Sequence, residues 1–415
     1  MRFKRLTYLV LSIILSLSAA FAGGTASPFS RYGYGEFQNS VSGALLSMGG
    51  VGYGMRNSRV INPSNPASYS SIDSLTFMMD LGLSGVIDGS LTNAGRNTQF
   101  AGNIDYVSFQ MPLADWAAIS FGVNPLTIVG YEYNFTDIQP SYNYEDTLKV
   151  SQYFHGKGGI TQVYLGLSFD IYDRVAIGVN GRYLFGNILH YREVGFPDES
   201  LFKSTTYQNA IYVSAWQCDF GIQYHQPIGA DDELVIGGIY SMKLPMKNTT
   251  EITATTNVQD FDNTAYEFEY PQTVGAGISY LWNSRLLIGV DVTWMELSKV
   301  KYYSQDNVFT DRFVYALGAE YIHNPLSKSY VELMRFRIGA NYSNSYAQVN
   351  GSDYSKWAIT CGLGFPLPNT KTTLNLHFEY GQQGSIKNIG LVEQYGKIGI
   401  GVSLNERWFV KRRFN

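Results

Sequence analysis

Charge is scarce in this chain. Asp, Glu, Lys and Arg together make up 15% of 415 residues, against 42 glycines, 32 tyrosines and 24 phenylalanines. Soluble surfaces need more charge than that, so the two or three soluble domains that such a length would suggest are a poor fit. Cysteine is almost absent, at 2 residues. Cys218 and Cys361 are too few for a disulfide scaffold, and they fall on distant stretches that argue against a bridge between them. No basic block exists, which excludes nucleic acid as a partner. Beyond residue 22 no apolar run reaches the length of a spanning helix. Catalytic spacing is missing too. His155, His190, His225, His323 and His377 are scattered, with no H-E-x-x-H pattern, and the glycines of "GVGYG" (50–54) are not followed by the Lys-Ser/Thr of a phosphate loop. The expectation is therefore no enzyme, no catalytic residue, no metal and no cofactor.

What is present begins with "MRFKR" and "LTYLVLSIILSLSAAFA", a basic start and an apolar run that ends on Ala20 and Ala22. This pattern is an export signal over residues 1–22 with an A-x-A-like cleavage site. Without Arg2, Lys4 and Arg5 the chain carries 27 basic and 34 acidic residues, a net charge of −7. An exported, aromatic-rich chain of low charge with no spanning helix suggests an outer-membrane β-barrel.

Alternation supports this. In "FMMDLGLS", Phe77, Met79, Leu81 and Leu83 oppose Met78, Asp80, Gly82 and Ser84; in "LIGVDVTW", Ile288, Val290, Val292 and Trp294 oppose Leu287, Gly289, Asp291 and Thr293. The same period places His377 on the interior face with Asn375 and Glu379. A soluble sandwich alternates as well, but its strands stop at about 5–6 residues, whereas strands here run near 75–88, 99–112, 115–133, 158–171, 173–192, 204–226, 232–250, 264–281, 284–299, 308–323, 330–345, 353–366, 371–384 and 391–408. Tight links follow every second strand, at 113–115, 172–174, 227–232, 282–284, 323–329 and 366–370, and the alternate links are longer and more polar. The fold class is thus all-β: a transmembrane antiparallel barrel of about fourteen strands over 73–415. Trp116, Trp282, Trp294 and Trp408, near strand ends, read as interfacial girdles in contact with outer-membrane lipid.

Residues 23–72 break the rhythm. "SMGGVGYGM" (47–55) is followed by "VINPSNPASYS" (60–70), with two Asn-Pro steps. Proline donates no backbone hydrogen bond and pushes its predecessor out of helical geometry, so neither helix nor central strand fits. A barrel this wide is hollow unless filled, and irregular backbone is tolerated at membrane depth where protein surrounds it. The segment is expected to be an N-terminal hatch in the lumen; a periplasmic leader is the plainer alternative.

Four features now carry a resemblance: the glycine-rich run, the triplet Asn65-Pro66-Ala67 before the first strand, fourteen strands, and "SFGVNPLTIVGYEY" (120–133) in the third strand. Together they resemble the FadL/TodX-type outer-membrane transporters of hydrophobic compounds, and the Gly- and Tyr-rich style is similar to Bacteroidota-type members. The resemblance implies a hatch that carries Asn65, Pro66 and Ala67, and the glycine run and the first Asn-Pro step add Gly49, Gly50, Asn62 and Pro63 to the expected hatch and gate. It also implies a third-strand kink at Gly122, Asn124 and Pro125, where a ladder without the proline's hydrogen bond opens the wall sideways, and Gly130 weakens the strand on the far side. The implied function is passive transport of an apolar small molecule, such as a long-chain fatty acid or aromatic hydrocarbon, across the outer membrane of a Gram-negative cell. The kinked residues lying merely at the outer end of the strand is the bland alternative. The ending departs from the pattern: "RWFVKRRFN" places a basic cluster, Lys411 to Arg413, before Phe414. Because some FadL-like proteins of that broad group serve protein secretion as type IX-like shuttles, the second functional expectation is a docking barrel that binds a protein through the loops at 136–158 and 250–264. An outer-membrane enzyme comes third.

Overall fold

The computed structural model describes residues 27–39, 41–92, 95–140, 147–196, 203–255, 259–262, 266–368 and 371–408. The expected signal (1–22), the start of the hatch and the basic tail (411–413) lie outside the described residues. No described helix is long and apolar enough to cross a membrane.

A two-residue strand, β1 (Glu36–Phe37), precedes the wall. The wall runs through β2 (Thr76–Thr92), β3 (Gly95–Ala114), β4 (Ala117–Pro140), β5 (Thr147–Ile171), β6 (Val175–Gly195) and β7 (Thr205–Ile228). The next wall strand comes in two pieces, β8 (Asp232–Ser241) and β9 (Leu244–Thr255), and both pair with β7. Its return comes in three, β10 (Gln259–Asp262), β11 (Phe268–Tyr270) and β12 (Thr273–Trp282), of which the first two pair with β9 and the last with β8. The wall continues with β13 (Leu286–Met295), β14 (Arg312–Ile322), β15 (Arg335–Asn344), β16 (Ser355–Pro366), β17 (Thr373–Ser385) and β18 (Leu391–Arg407). It closes where β18 pairs with β2 from Leu391↔Thr92 to Arg407↔Thr76 without a register shift. Every neighbouring pair is antiparallel, and the pieces add up to a closed barrel of fourteen wall strands, as the alternation and link lengths predict.

Period-2 patterning explains the two faces. Exposed positions such as Phe100, Leu165, Trp216 and Ile398 point outward, and their neighbours Ala101, Tyr164, Gln217 and Gly399 point into the lumen. His377 and Asn375 are buried on the interior side, where alternation puts them, and Cys218 and Cys361 are free and exposed on the outward face. Two of the tight links are two-residue hairpin turns, whereas the link at 323–329 runs on through a helical turn at Tyr330–Leu333, so β15 starts later than the expected 330. Tyr172 and Asp173 have φ of 52° and 56°, and Asn283 and Ser284 of 54° and 53°. Two successive left-handed residues form the turn whose twist matches that of the flanking strands.

Two expected loops need correction. Residues 136–158 are largely strand, because β4 and β5 pair out to Pro140↔Thr147. Residues 250–264 likewise hold the β9–β10 ladder, Thr255↔Gln259 to Ile252↔Asp262. Polarity was the signal for a loop, but a ladder is made by the backbone and runs on into water wherever β-branched and polar residues allow it. These outer ends are therefore tall hairpins.

Residues 27–72 thread the interior. The single helical turn Gly43–Leu46 and the 3-10 helix Pro66–Ser71 are its only described helical pieces, apart from the short 3-10 turn at Pro28–Arg31. The outer half of the lumen is filled by an aromatic core. Tyr34 from the N-terminal segment packs with Leu297, Val300 and Phe309 from the link between β13 and β14, and with Tyr346 from the link after β15. Tyr34 meets the Tyr302 ring edge-on at 5.2 Å, and Phe309 meets Tyr346 at 5.3 Å.

Candidate functional site

The interior segment and the broken part of the wall form the candidate site. In the inner half, the segment is seated directly on wall backbone. A Cβ on Gly237 would lie 1.8 Å from the Tyr53 carbonyl oxygen, one on Gly318 2.2 Å from that of Met48, and one on Gly339 2.2 Å from the Gly49 nitrogen. Gly49 and Gly50 take φ of +74° and +86°, so the run turns there as only glycine readily does. The Asp291 carboxylate accepts from the backbone N–H groups of Gly52 (2.6 Å) and Tyr53 (2.9 Å), and the Gln223 amide donates to the carbonyls of Tyr53 and Met55 at 3.0 and 3.1 Å. Irregular backbone thus finds its partners on the barrel's interior side chains, as it must at membrane depth.

The Asn-Pro steps have a concrete role here. The Asn62 amide, buried, donates to the carbonyls of Gly52 (2.6 Å) and Met55 (3.2 Å). Asn65 caps the 3-10 helix by accepting from the Ala67 N–H at 3.1 Å, and its amide donates to the Tyr53 carbonyl at 2.7 Å. Pro66 then stands at the first helical position, where its missing N–H costs nothing. The carbonyl of Pro63 accepts from the Asn180 amide at 3.2 Å, and that of Ala67 accepts from Arg56 (3.2 Å) and Ser168 (2.9 Å). Asn62 to Ala67 therefore tie the segment to β5, β6 and β7, while Gly49 sits against β14 and β15 on another part of the wall.

The remaining four predicted residues lie inside β4, not at its end. The β3–β4 ladder runs only from Ala114↔Ala117 to Val107↔Val123. Beyond it, β4 keeps pairing with β5, with one irregularity between Pro125 and Thr127, but not with β3. Gly122 sits at the last rungs, where a Cβ would come 2.5 Å from the Val107 carbonyl oxygen. Pro125 follows with no N–H to offer. The N-terminal segment takes over part of the freed edge. Glu36 pairs with Ile128 and Phe37 with Thr127, the Gln38 N–H donates to the Leu126 carbonyl (2.9 Å), and the Ser30 hydroxyl bonds both the N–H and the carbonyl of Gly130 at 3.0 Å. The two predicted groups do not meet: Ser30 and residues 36–38 face the break, rather than the glycine-rich run or the Asn-Pro-Ala turn.

Sequence reasoning missed the interior ion pairs. Glu320 takes Arg335 at 2.5 Å and Arg337 at 2.6 Å, and Arg337 reaches the Asn375 side-chain oxygen at 2.8 Å. Arg56 pairs with Asp170 at 2.8 Å, and Arg182 with Asp219. Their signal is present in the sequence, since Glu320 and Arg337 stand on the inward phase between Ala319 and Tyr321 and between Phe336 and Ile338. Charge also lines the spaces left over. A cavity of about 100 Å³ beside Pro125 is bordered by Glu36, Asp88, Asp105, Lys356, Glu379, Glu393 and Lys397. One of about 480 Å³ at the inner mouth is bordered by Arg56, Glu233, Arg285, Glu320 and Arg335.

A protein-family model described as BamG matches residues 2–415. No curated protein matches the sequence. Among solved structures, the toluene transporter TodX of P. putida superposes with a TM-score of 0.57 at 14% identity, covering 90% of this chain and 99% of its own. A Pseudomonas aeruginosa FadL homologue gives 0.58 at 12% identity over 93% and 100%. The Ralstonia pickettii toluene transporter TbuX gives 0.56 at 13% over 89% and 99%. At such identities the likeness is one of fold: a FadL-like outer-membrane barrel.

Proposed function

Because the chain belongs to the BamG family, with a FadL-like outer-membrane barrel, we propose that it is a docking component of protein export or surface assembly, holding a polypeptide partner at the outer membrane. The observation that carries this reading is the filled lumen. The aromatic core around Tyr34, Phe309 and Tyr346 occupies the outer half, and the segment 42–71 is seated on wall glycines in the inner half. An apolar solute gains about 0.8 kcal/mol per buried CH₂ only where an apolar site receives it. The space beside Pro125 offers carboxylates and ammonium groups instead. The tall outer hairpins of β4–β5 and β9–β10 supply backbone-rich surface to a partner outside the membrane.

The second reading is transport of a hydrophobic small molecule. The ladder break above Val123, beside Pro125, favours it, since it is where a sideways exit would lie. Residues 36–38 would be the gate, and the solute would have to displace them from β4.

Extraction of the protein from its native membrane in mild detergent, followed by mass spectrometry of what accompanies it, tests the choice. A stoichiometric polypeptide with no apolar ligand is the expected result. Stoichiometric fatty acid or aromatic compound without a polypeptide would sink the docking reading. So would loss of uptake of a labelled hydrocarbon on replacing Pro125 by Val.

A further inference from the structure

We propose that the outer edge of β4, from Gly130 to Thr136, receives an extended strand of the partner polypeptide, which would be added to the wall between β3 and β4. The proposal rests on the docking reading and names the kind of partner it requires.

Both strands outlast their ladder. Pairing stops at Val107↔Val123, yet β3 continues to Gly95 and β4 to Pro140. In an antiparallel pair, alternate residues turn their N–H and C=O away from the partner. In upper β4 these are the even-numbered residues, as the bonds to Leu126, Gly130 and Glu132 show. The way they are served changes along the strand. Leu126 and Ile128 are met by the backbone of residues 36–38. Gly130 is met by one hydroxyl, that of Ser30, and the Glu132 carbonyl by one side-chain amide, that of Gln99 at 2.7 Å. Asn134 and Thr136 are exposed, and among the described residues their only strand partner is β5. The edge thus passes from backbone ladder, to single side-chain bonds, to open groups.

A row of open backbone groups is a template for another strand. The chain's own β1 already uses the lower part of this edge in that way, so an incoming strand would extend an addition that exists. It would replace the bonds of Ser30 and Gln99 by ladder bonds and supply new ones at Asn134 and Thr136. Seven residues of strand span about 23 Å. An acyl chain has neither donor nor acceptor and cannot take this role. Recognition by strand addition draws affinity from the main chain, which separates it from side-chain docking.

The test uses the full-length protein in its native membrane, with the polypeptide that co-isolates with the wild type as readout. Asn134→Pro removes one seam-facing N–H and leaves the bonds to β5 in place, whereas Asn134→Ala changes only the side chain. A second variant joins Gln99→Cys and Glu132→Cys by a short bis-maleimide in a background where Cys218 and Cys361 are Ala, and so holds the seam shut. The expected result is at least a tenfold loss of the co-isolated polypeptide for Asn134→Pro and for the joined pair. Asn134→Ala and the unjoined pair should retain it, and the amides of Asn134 and Thr136 should exchange hydrogen more slowly in the complex. Should Asn134→Pro fail to fold, the joined and unjoined pair decide alone. A partner that survives the closed seam overturns strand addition but leaves docking intact, with another surface as its site. If no polypeptide accompanies the wild type, docking and strand addition both fail.

Discussion

The two halves of the filled lumen are held by different physics. In the inner half, backbone meets backbone: Met48, Gly49 and Tyr53 lie on Gly318, Gly339 and Gly237 with no room for a methyl group, and buried charges such as Glu320 and Arg337 complete the network. In the outer half, rings meet rings: Tyr34, Tyr302, Phe309 and Tyr346 interdigitate through side chains from three separate segments. Backbone contact tolerates almost no adjustment, whereas side chains can repack around a change at modest cost. The inner half is a fixed floor, and any rearrangement that accompanies binding belongs to the outer half and to the edge of β4 that Ser30 and residues 36–38 cover.

The largest effect should follow from breaking the floor. In Gly339→Val the new Cβ would lie 2.2 Å from both the Gly49 nitrogen and the Met48 carbonyl carbon, neither of which can swing away. The expected outcome is a barrel whose segment 42–71 is cut by added protease in detergent or which fails to fold at all, scored by heat-modifiable mobility on gels. An uncut, fully folded variant would mean the floor yields and the contrast between the halves is false.

Charge comes next. Glu320→Ala leaves Arg335 and Arg337 buried without their carboxylate, and removing one partner of a buried pair costs about 3–5 kcal/mol. Urea unfolding in lipid vesicles reads the loss, and adding Arg337→Met should recover part of it. No recovery would show that the carboxylate matters for something other than pairing with this guanidinium.

These two residues mark how far the sequence reached. Alternation along β2 and β13 pointed to the barrel and to the inward face on which Asp291 lies, and the same phase along β14 and β15 carries Glu320 and Arg337. It could not give the partners of Asp291, because Gly52 and Tyr53 come from a segment far away in the chain; Glu320 and Arg337 face each other on the neighbouring strands β14 and β15, and their pairing needed the register of that hairpin. Asn62 to Ala67 stand out by proline geometry and by the resemblance that the Asn-Pro-Ala triplet carries, and that geometry does organise their hydrogen bonds. Their distance from Pro125 was invisible, since nothing local says which stretch of an irregular segment will face which strand. The tall hairpins are hidden for a related reason: residues 147–158 are polar as loops are, but their backbone completes a ladder.

A smaller effect sharpens the contrast from the other side. The Tyr346 hydroxyl lies 2.9 Å from the Tyr32 carbonyl oxygen and 2.6 Å from that of Gly35 and shares its one hydrogen between them, tying the outer core to the start of the interior segment. Tyr346→Phe should cost about 1–2 kcal/mol. Amide exchange should quicken over residues 32–37 and stay unchanged over 47–55. Faster exchange in both stretches would join the two halves into one cooperative unit.

The smallest effect is a titration in the outer half. Asp311 precedes β14 and accepts from the Trp294 indole N–H at 3.0 Å and the Ser298 backbone N–H at 3.0 Å. Partial burial pulls its carboxyl upward, but the bonds from Ser298 and Trp294 and the nearby Lys299 charge outweigh that and hold it below its ordinary value. A carboxylate depressed in the folded state contributes stability above its unfolded value, about pH 3.9, and loses it as pH falls through the folded one. The difference in tryptophan emission between the wild type and Trp294→Phe should therefore change with a midpoint below the usual aspartate range, and Asp311→Asn should abolish the transition. A midpoint above that range would mean that burial prevails over the hydrogen bonds, and that the link carrying Leu297 and Val300 is sealed as tightly as the floor beneath it.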